Sequence, residues 1–270
     1  MQQNNEILKD GVALITGATG GLGTAFAYLL ARNGYDLFLT GRSMDKLKEV
    51  RAMVKAKYRV NISIFPADLC KKNDRIALMR EVSNSGAKIS MLVNVAGADI
   101  QKAFKDYTQD KISFQCRANF ESAIALCHFA IKQKAETLHI INISSVSGIY
   151  PMPYFAIYSA TKAALTSFSV ALREEVKKEN VYVTAVLPGA MPTRADIKEQ
   201  IKGQGLWGLL AAKSPDWVAE QALNAAYKNK AKVIPGFWNK MMRVSTAWIP
   251  STWRMRFIAK RWSKITKDNF

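Results

Sequence analysis

The chain has 270 residues, 49% of them hydrophobic and 22% charged, enough for one large α/β domain whose core needs no disulfides. Its 39 lysines and arginines outnumber 21 acidic residues, giving a net charge of +18 that favours an anionic partner: a membrane surface, nucleic acid or an acidic substrate. No window reaches the ~18 uninterrupted apolar residues of a membrane span, and the polar start MQQNNEILKDG lacks the apolar core of a secretory signal. A cytoplasmic protein is therefore expected. Cys70, Cys116 and Cys127 are odd in number and form no CxxC pair, so they read as reduced thiols with no metal site implied. His128 and His139 show no ligand spacing; they read as a helix-face and a strand-edge histidine.

Short apolar runs and helical patterns alternate along the chain. GVALIT (11–16) is a strand, followed by glycines and the helical pattern TAFAYLLARNG, with Gly34 as its C-cap. YDLFLTGR is a second strand, MDKLKEVRAMVKAKY an amphipathic helix, and RVNISIFPADL a third strand. KISMLVNVAG, TLHIINISS, VYVTAVLPG and AKVIPG follow as strands four to seven. This alternation predicts right-handed βαβ units in a doubly wound Rossmann architecture. The sheet should be parallel and about seven-stranded, with helices on both faces; several strands read as apolar runs rather than alternations, as buried parallel strands should. Residues 1–236 read as one domain, and 237–270 as a basic, aromatic helical extension.

TGATGGLG (16–23) sits between the first strand and the first helix. Glycine permits a tight turn and close approach of backbone to a ligand, and the free N–H groups of a helix start favour a pyrophosphate. The glycines fall as Gly-x-x-x-Gly-x-Gly at Gly17, Gly21 and Gly23. This pattern resembles the single-domain branch of the short-chain dehydrogenase/reductase family, and the resemblance continues in order from about residue 10 to 235. It implies dinucleotide binding by Gly17, Thr19, Gly21, Leu22 and Gly23. Asp68 and Leu69 match the adenine-contacting pair after the third strand. Asn94, Ala96 and Gly97 match the family's NNAG, with Val95 replacing its second Asn, and Pro188, Gly189 and Thr193 match the PGxxxT element that holds the nicotinamide carboxamide. At the end of the second strand, neutral Gly41 stands where NAD enzymes place an acid, and Arg42 follows. A guanidinium suits the 2′-phosphate, so NADP(H) is the expected cofactor.

Tyr158 and Lys162 lie four residues apart, on one helix face. A free tyrosine, with pKa near ~10, exchanges protons poorly at neutral pH, and a neighbouring ammonium is expected to lower that pKa. The resemblance makes Tyr158 the proton donor, with Lys162 tuning it and both also contacting the cofactor. It makes Ser145, thirteen residues before Tyr158, the carbonyl-holding serine; Ser144 and Ser147 are neighbours that spacing alone does not exclude. It gives Asn119 the anchoring of a water that passes protons to the lysine.

The family builds its substrate pocket after PGxxxT and near the C-terminus. Met152, Tyr154, Phe155, Leu206 and Trp207 are the expected lining, with 194–215 as a mobile lid of apolar inner face. A hydrophobic ketone or alcohol, steroid-like or fatty acyl, is the expected substrate; 3-oxoacyl reduction and hydroxysteroid oxidoreduction both stay open. A catalytically silent NADP-binding sensor on the same fold is the rival reading, and an extended-branch epimerase would want a longer chain. From Lys228 to Phe270 eleven lysines and arginines face one acidic residue, Asp268, and four of the six tryptophans fall in 237–270, which Pro250 splits into two helices. Aromatics interleaved with cations suit an interfacial helix on anionic lipid, peripheral on the inner face of a membrane; packing on the domain or on a partner subunit suits the pattern equally. No nucleic-acid recognition motif is present, and family members are commonly dimers or tetramers.

Overall fold

The computed structural model describes residues 11–192, 212–241 and 248–263, without the side chains of Ser251 and Arg261. Its apolar runs form β1 (Val12–Ile15), β2 (Asp36–Gly41), β3 (Ile62–Pro66), β4 (Ile89–Asn94), β5 (Lys134–Ile143), β6 (Val181–Val186) and β7 (Lys232–Val233). They make one sheet in the order β3-β2-β1-β4-β5-β6-β7, every pair parallel. The helices are α1 (Gly21–Arg32), α2 (Met44–Lys55), α3 (Lys72–Asn84), α4 (Gln109–Cys116), α5 (Ser122–Lys132), α6 (Ala156–Glu175), α7 (Pro215–Tyr227) and α8 (Ser251–Trp262).

Both faces of the sheet are covered, which is why the middle of each central strand is an apolar run. Alternate side chains divide between two cores. Ile15, Leu39, Val93 and Ile141 pack with Phe26 and Leu30 of α1 and Leu223 of α7. Leu14, Phe38, Leu92 and Ile140 pack on the other face with Leu78 of α3 and Leu126 of α5. Burying each such side chain stabilises the fold by roughly 1.5–3 kcal/mol, so the sheet centre is the rigid base on which the loops are mounted.

Three local expectations change. Helix α1 begins at Gly21, inside the glycine run, and its C-cap is Asn33; Gly34, at φ +83°, is the left-handed residue one step beyond. Strand β5 begins at Lys134, ahead of the apolar run, because parallel pairing to β4 continues to that residue. His139 is not on an edge: β5 lies between β4 and β6, and the ring is 8% exposed, stacked 5.1 Å from Tyr182 and edge-on to Tyr227 at 5.6 Å.

At the C-terminal end, α8 starts directly after Pro250, as a proline in that stretch requires. One side of it lies on the loop before α6: the Arg254 guanidinium sits 5.1 Å above the Tyr150 ring, and Trp262 packs edge-on to Phe155 at 5.4 Å. Among the described residues, no helix is long and apolar enough to cross a membrane.

Candidate active site

The C-terminal ends of the parallel strands deliver the singled-out residues to one edge of the sheet, where open α/β folds bind ligands. After β1 the chain turns through Gly17, which adopts φ +60° and lies against residue 96; a Cβ there would stand 3.0 Å from the Ala96 backbone. A Cβ on Gly23 would fall 2.1 Å from the Gly17 carbonyl oxygen, so helix and turn close only with glycine at this position. Helix α1 has no side-chain N-cap and no acidic residue in its first turn, and Gly20 and Gly21 are exposed. These uncapped N–H groups and the open backbone fit a pyrophosphate.

Thr19 lies beside the end of β2, its hydroxyl 3.3 Å from where a Gly41 Cβ would be, and Leu22 turns into the core. Arg42 is exposed just past that strand. Past β3, Asp68 accepts a hydrogen bond from the Cys70 N–H at 3.0 Å, and Leu69 is buried. Past β4, the Thr16 hydroxyl accepts from the Val95 and Ala96 N–H groups at 3.0 and 3.1 Å, fixing that loop to the first strand. The Asn94 side chain turns inward instead: it donates to Asn142 Oδ1 at 2.8 Å, between β4 and β5. Its contribution to a cofactor site would therefore be backbone only. Pro188 is buried and its carbonyl accepts from Val146 N–H at 3.0 Å, which ties the end of β6 to the loop after β5; Gly189 adjoins Asn239. Thr193, Leu206 and Trp207 lie outside the described residues, as do most of the expected lid's residues.

Ser145, Tyr158, Lys162 and Asn119 come together behind the Gly97 loop. Asn119 sits in a π-helical turn (Arg117–Glu121) between α4 and α5, a widening of the helix that recurs at functional sites. Its Oδ1 accepts from the Ala98 N–H at 2.7 Å, and its Nδ2 donates to the Ala98 carbonyl at 2.9 Å and to Thr161 Oγ1 at 3.1 Å. A Cβ on Gly97 would stand 2.9 Å from Asn119 Oδ1 and 3.4 Å from Lys162 Nζ, so the missing side chain lets these groups approach. Lys162 is 4% exposed; its Nζ donates to the Ile143 carbonyl at 2.8 Å and lies 5.8 Å from the Tyr158 ring centroid. The two neighbouring serines have different surroundings. Ser144 donates to the Lys162 carbonyl at 2.7 Å and pairs with Thr166, whereas the Ser145 hydroxyl accepts from the Ser147 N–H at 3.1 Å and lies near enough to the Tyr158 phenol to lower its pKa.

The expected lowering of the Tyr158 pKa is not found in the protein alone. Burial pushes the phenol up, the Asp99 carboxylate adds to the rise, and the nearby Ser145 hydroxyl only partly opposes them, leaving it at about 12. Burial lowers Lys162 to about 8, with Asp99 acting in the opposite sense. Asp99 was not singled out from the sequence; only its place two residues after NVAG marks it.

The expected substrate loop runs between Ser145 and Tyr158. Phe155 packs against Tyr158, ring centroids 5.7 Å apart, with Trp262 on another side. Tyr154 holds φ 67°, a costly conformation for a bulky residue, and its carbonyl accepts from the Lys102 N–H at 3.1 Å. Met152 is half-buried in the same loop.

Comparison with known proteins agrees with this geometry. An uncharacterised oxidoreductase of Staphylococcus aureus is 31% identical over 189 residues, covering 69% of this chain and 80% of the relative. A short-chain dehydrogenase from Sphingobium yanoikuyae, solved with NADPH, is 26% identical, covers 96% of this chain and 99% of its own, and superposes with a TM-score of 0.76. The bulky-bulky ketone specific alcohol dehydrogenase from Comamonas testosteroni is 25% identical, with coverage of 88% and 92% and a TM-score of 0.74. The family profile described as short chain dehydrogenase matches residues 11–202. The order of the strands, the glycine turn and this match together make the chain a member of the short-chain dehydrogenase family of oxidoreductases.

Proposed function

We propose that the chain is an NADP(H)-dependent oxidoreductase that interconverts a hydrophobic ketone and a secondary alcohol. The observation that carries this reading is the meeting of the Ser145 hydroxyl, the Tyr158 phenol and the buried Lys162 ammonium, whose Nζ lies 5.8 Å from the Tyr158 ring centroid. A carbonyl that accepts a hydride develops negative charge on oxygen and needs both a hydrogen-bond donor and an acid. The nicotinamide cofactor, when bound, supplies the hydride. The chain supplies the rest. The Ser145 hydroxyl holds the carbonyl oxygen and the protonated Tyr158 phenol gives that oxygen its proton. Lys162, pinned by the Ile143 carbonyl, favours the resulting phenolate.

NADP(H) is supported by the absence of a carboxylate at the end of β2, where Gly41 faces Thr19, and by the exposed Arg42 beside it. The NADPH bound by the Sphingobium relative supports it further. A hydrophobic substrate is supported by the Phe155 ring against Tyr158 and by the bulky ketones of the Comamonas relative.

Tyr158→Phe should lower turnover roughly 10²–10⁴-fold in an NADPH-oxidation assay with a hydrophobic ketone, while NADPH binding stays nearly intact. Full activity in that variant would remove the assignment. Arg42→Ala should raise KM for NADPH and leave KM for NADH nearly unchanged; equal effects on both would return the cofactor choice to NAD(H).

A further inference from the structure

We infer that the outer face of α8 docks on an anionic lipid surface, so that the loop before Tyr158 is held at the membrane. The helix has two faces of different character. Arg254, Met255, Ile258, Ala259 and Trp262 are partly buried, and Arg254 and Trp262 pack on Tyr150 and Phe155. Trp253 and Phe257, one turn apart on the opposite stripe, are 68% and 66% exposed. Trp248, at 87%, and Ile249 extend the apolar surface just ahead of the helix. Single exposed apolar residues are ordinary, but two tryptophans, a phenylalanine and an isoleucine within ten residues are a patch.

Charge selects the occupant. Arg256 and Lys260 are exposed beside the stripe, and the chain from Lys228 onward carries eleven cations against one acid. An aromatic stripe with cationic flanks and no acidic residue among its described neighbours is the composition of a helix lying in the headgroup region of anionic lipid. Aromatic rings enter the acyl boundary while Arg256 and Lys260 meet phosphates. The inner face stays on the protein, so the same helix joins the lipid to the loop that contacts the candidate proton donor.

The test uses full-length protein and vesicles of phosphatidylcholine or phosphatidylglycerol, read by co-sedimentation. Wild type should sediment with phosphatidylglycerol, weakly with phosphatidylcholine, and less as salt rises. The variant Trp253→Ser/Phe257→Ser should lose roughly tenfold or more of that binding, and Arg256→Gln/Lys260→Gln should lose binding only to the anionic vesicles. Circular dichroism and NADPH affinity, unchanged in both variants, separate lost docking from lost folding. Equal sedimentation of wild type and the aromatic variant would overturn the inference. So would a change in oligomeric mass of the aromatic variant on size-exclusion chromatography, which would assign the stripe to a second copy. Binding is measured without turnover, so this outcome is independent of the hydride-transfer reading.

Discussion

Burial acts on Tyr158 and Lys162 in opposite directions, and the Asp99 carboxylate raises the pKa of both. A phenol at about 12 keeps its proton at neutral pH, which suits an acid in carbonyl reduction and leaves alcohol oxidation short of phenolate. Lys162, at about 8, is mostly charged at pH 7 and loses its charge as pH rises through that value. In Asp99→Asn the carboxylate is gone, so both groups lose their protons more easily. The pH profiles of oxidation and reduction should both move to lower pH, while NADPH affinity stays near that of wild type. A profile identical to wild type would show that Asp99 acts only on local packing. The convergence of Tyr158, Lys162, Ser145 and Asn119 was legible in the sequence because the resemblance supplies fixed spacings. Asp99 was not: its effect arises from through-space proximity to α6, nearly sixty residues on, and no local pattern encodes that.

Among the elements, the π turn that carries Asn119 is braced from outside the site. Arg75, at the start of α3, is 6% exposed; it forms an ion pair with Glu121 at the end of the turn and donates to the Leu69 carbonyl at 2.7 Å. One guanidinium thus ties the loop after β3 to the segment that holds the Gly97–Ala98 backbone. Arg75→Met should cost about 1–3 kcal/mol of stability in denaturant titration, since the buried carbonyl loses its donor while the half-exposed Glu121 is rehydrated. It should also raise KM for NADPH and lower kcat together. A loss of stability with unchanged kinetics would reduce the brace to a purely structural one. The pairing joins residues 46 apart in sequence, and neither residue has a distinctive neighbourhood, so it was invisible until α3 and the π turn were side by side. Strands were easier to see, because burial on both faces leaves a continuous apolar run wherever the sheet is covered.

Across the molecule, stability at low pH depends on the histidine misplaced at first. The TLHIINISS run made His139 look like an edge residue, because strand order is long-range information; pairing of Ile140 with Val183 encloses the strand instead. Burial lowers the His139 pKa to about 4, against an unfolded value of 6.5. The folded state therefore takes up that proton less readily than the unfolded one. Its stabilising effect is complete above about pH 6.5 and is lost as pH falls from there to about 4, a difference of about 3 kcal/mol by linkage. In His139→Phe, urea midpoints at pH 7.5 and pH 5 should lie closer together than in wild type. The same strand order governs how the chain matures during synthesis. Strand β1 is made first among the strands but pairs on one side with β4, whose register begins at Ile89. Until that segment leaves the ribosome, the emerging β1–β2–β3 unit carries an open parallel edge of Val12, Ala13, Leu14 and Ile15. An unpaired apolar edge of this kind adheres to other chains, so production of soluble protein should depend on chaperone supply while residues up to about 90 are being made.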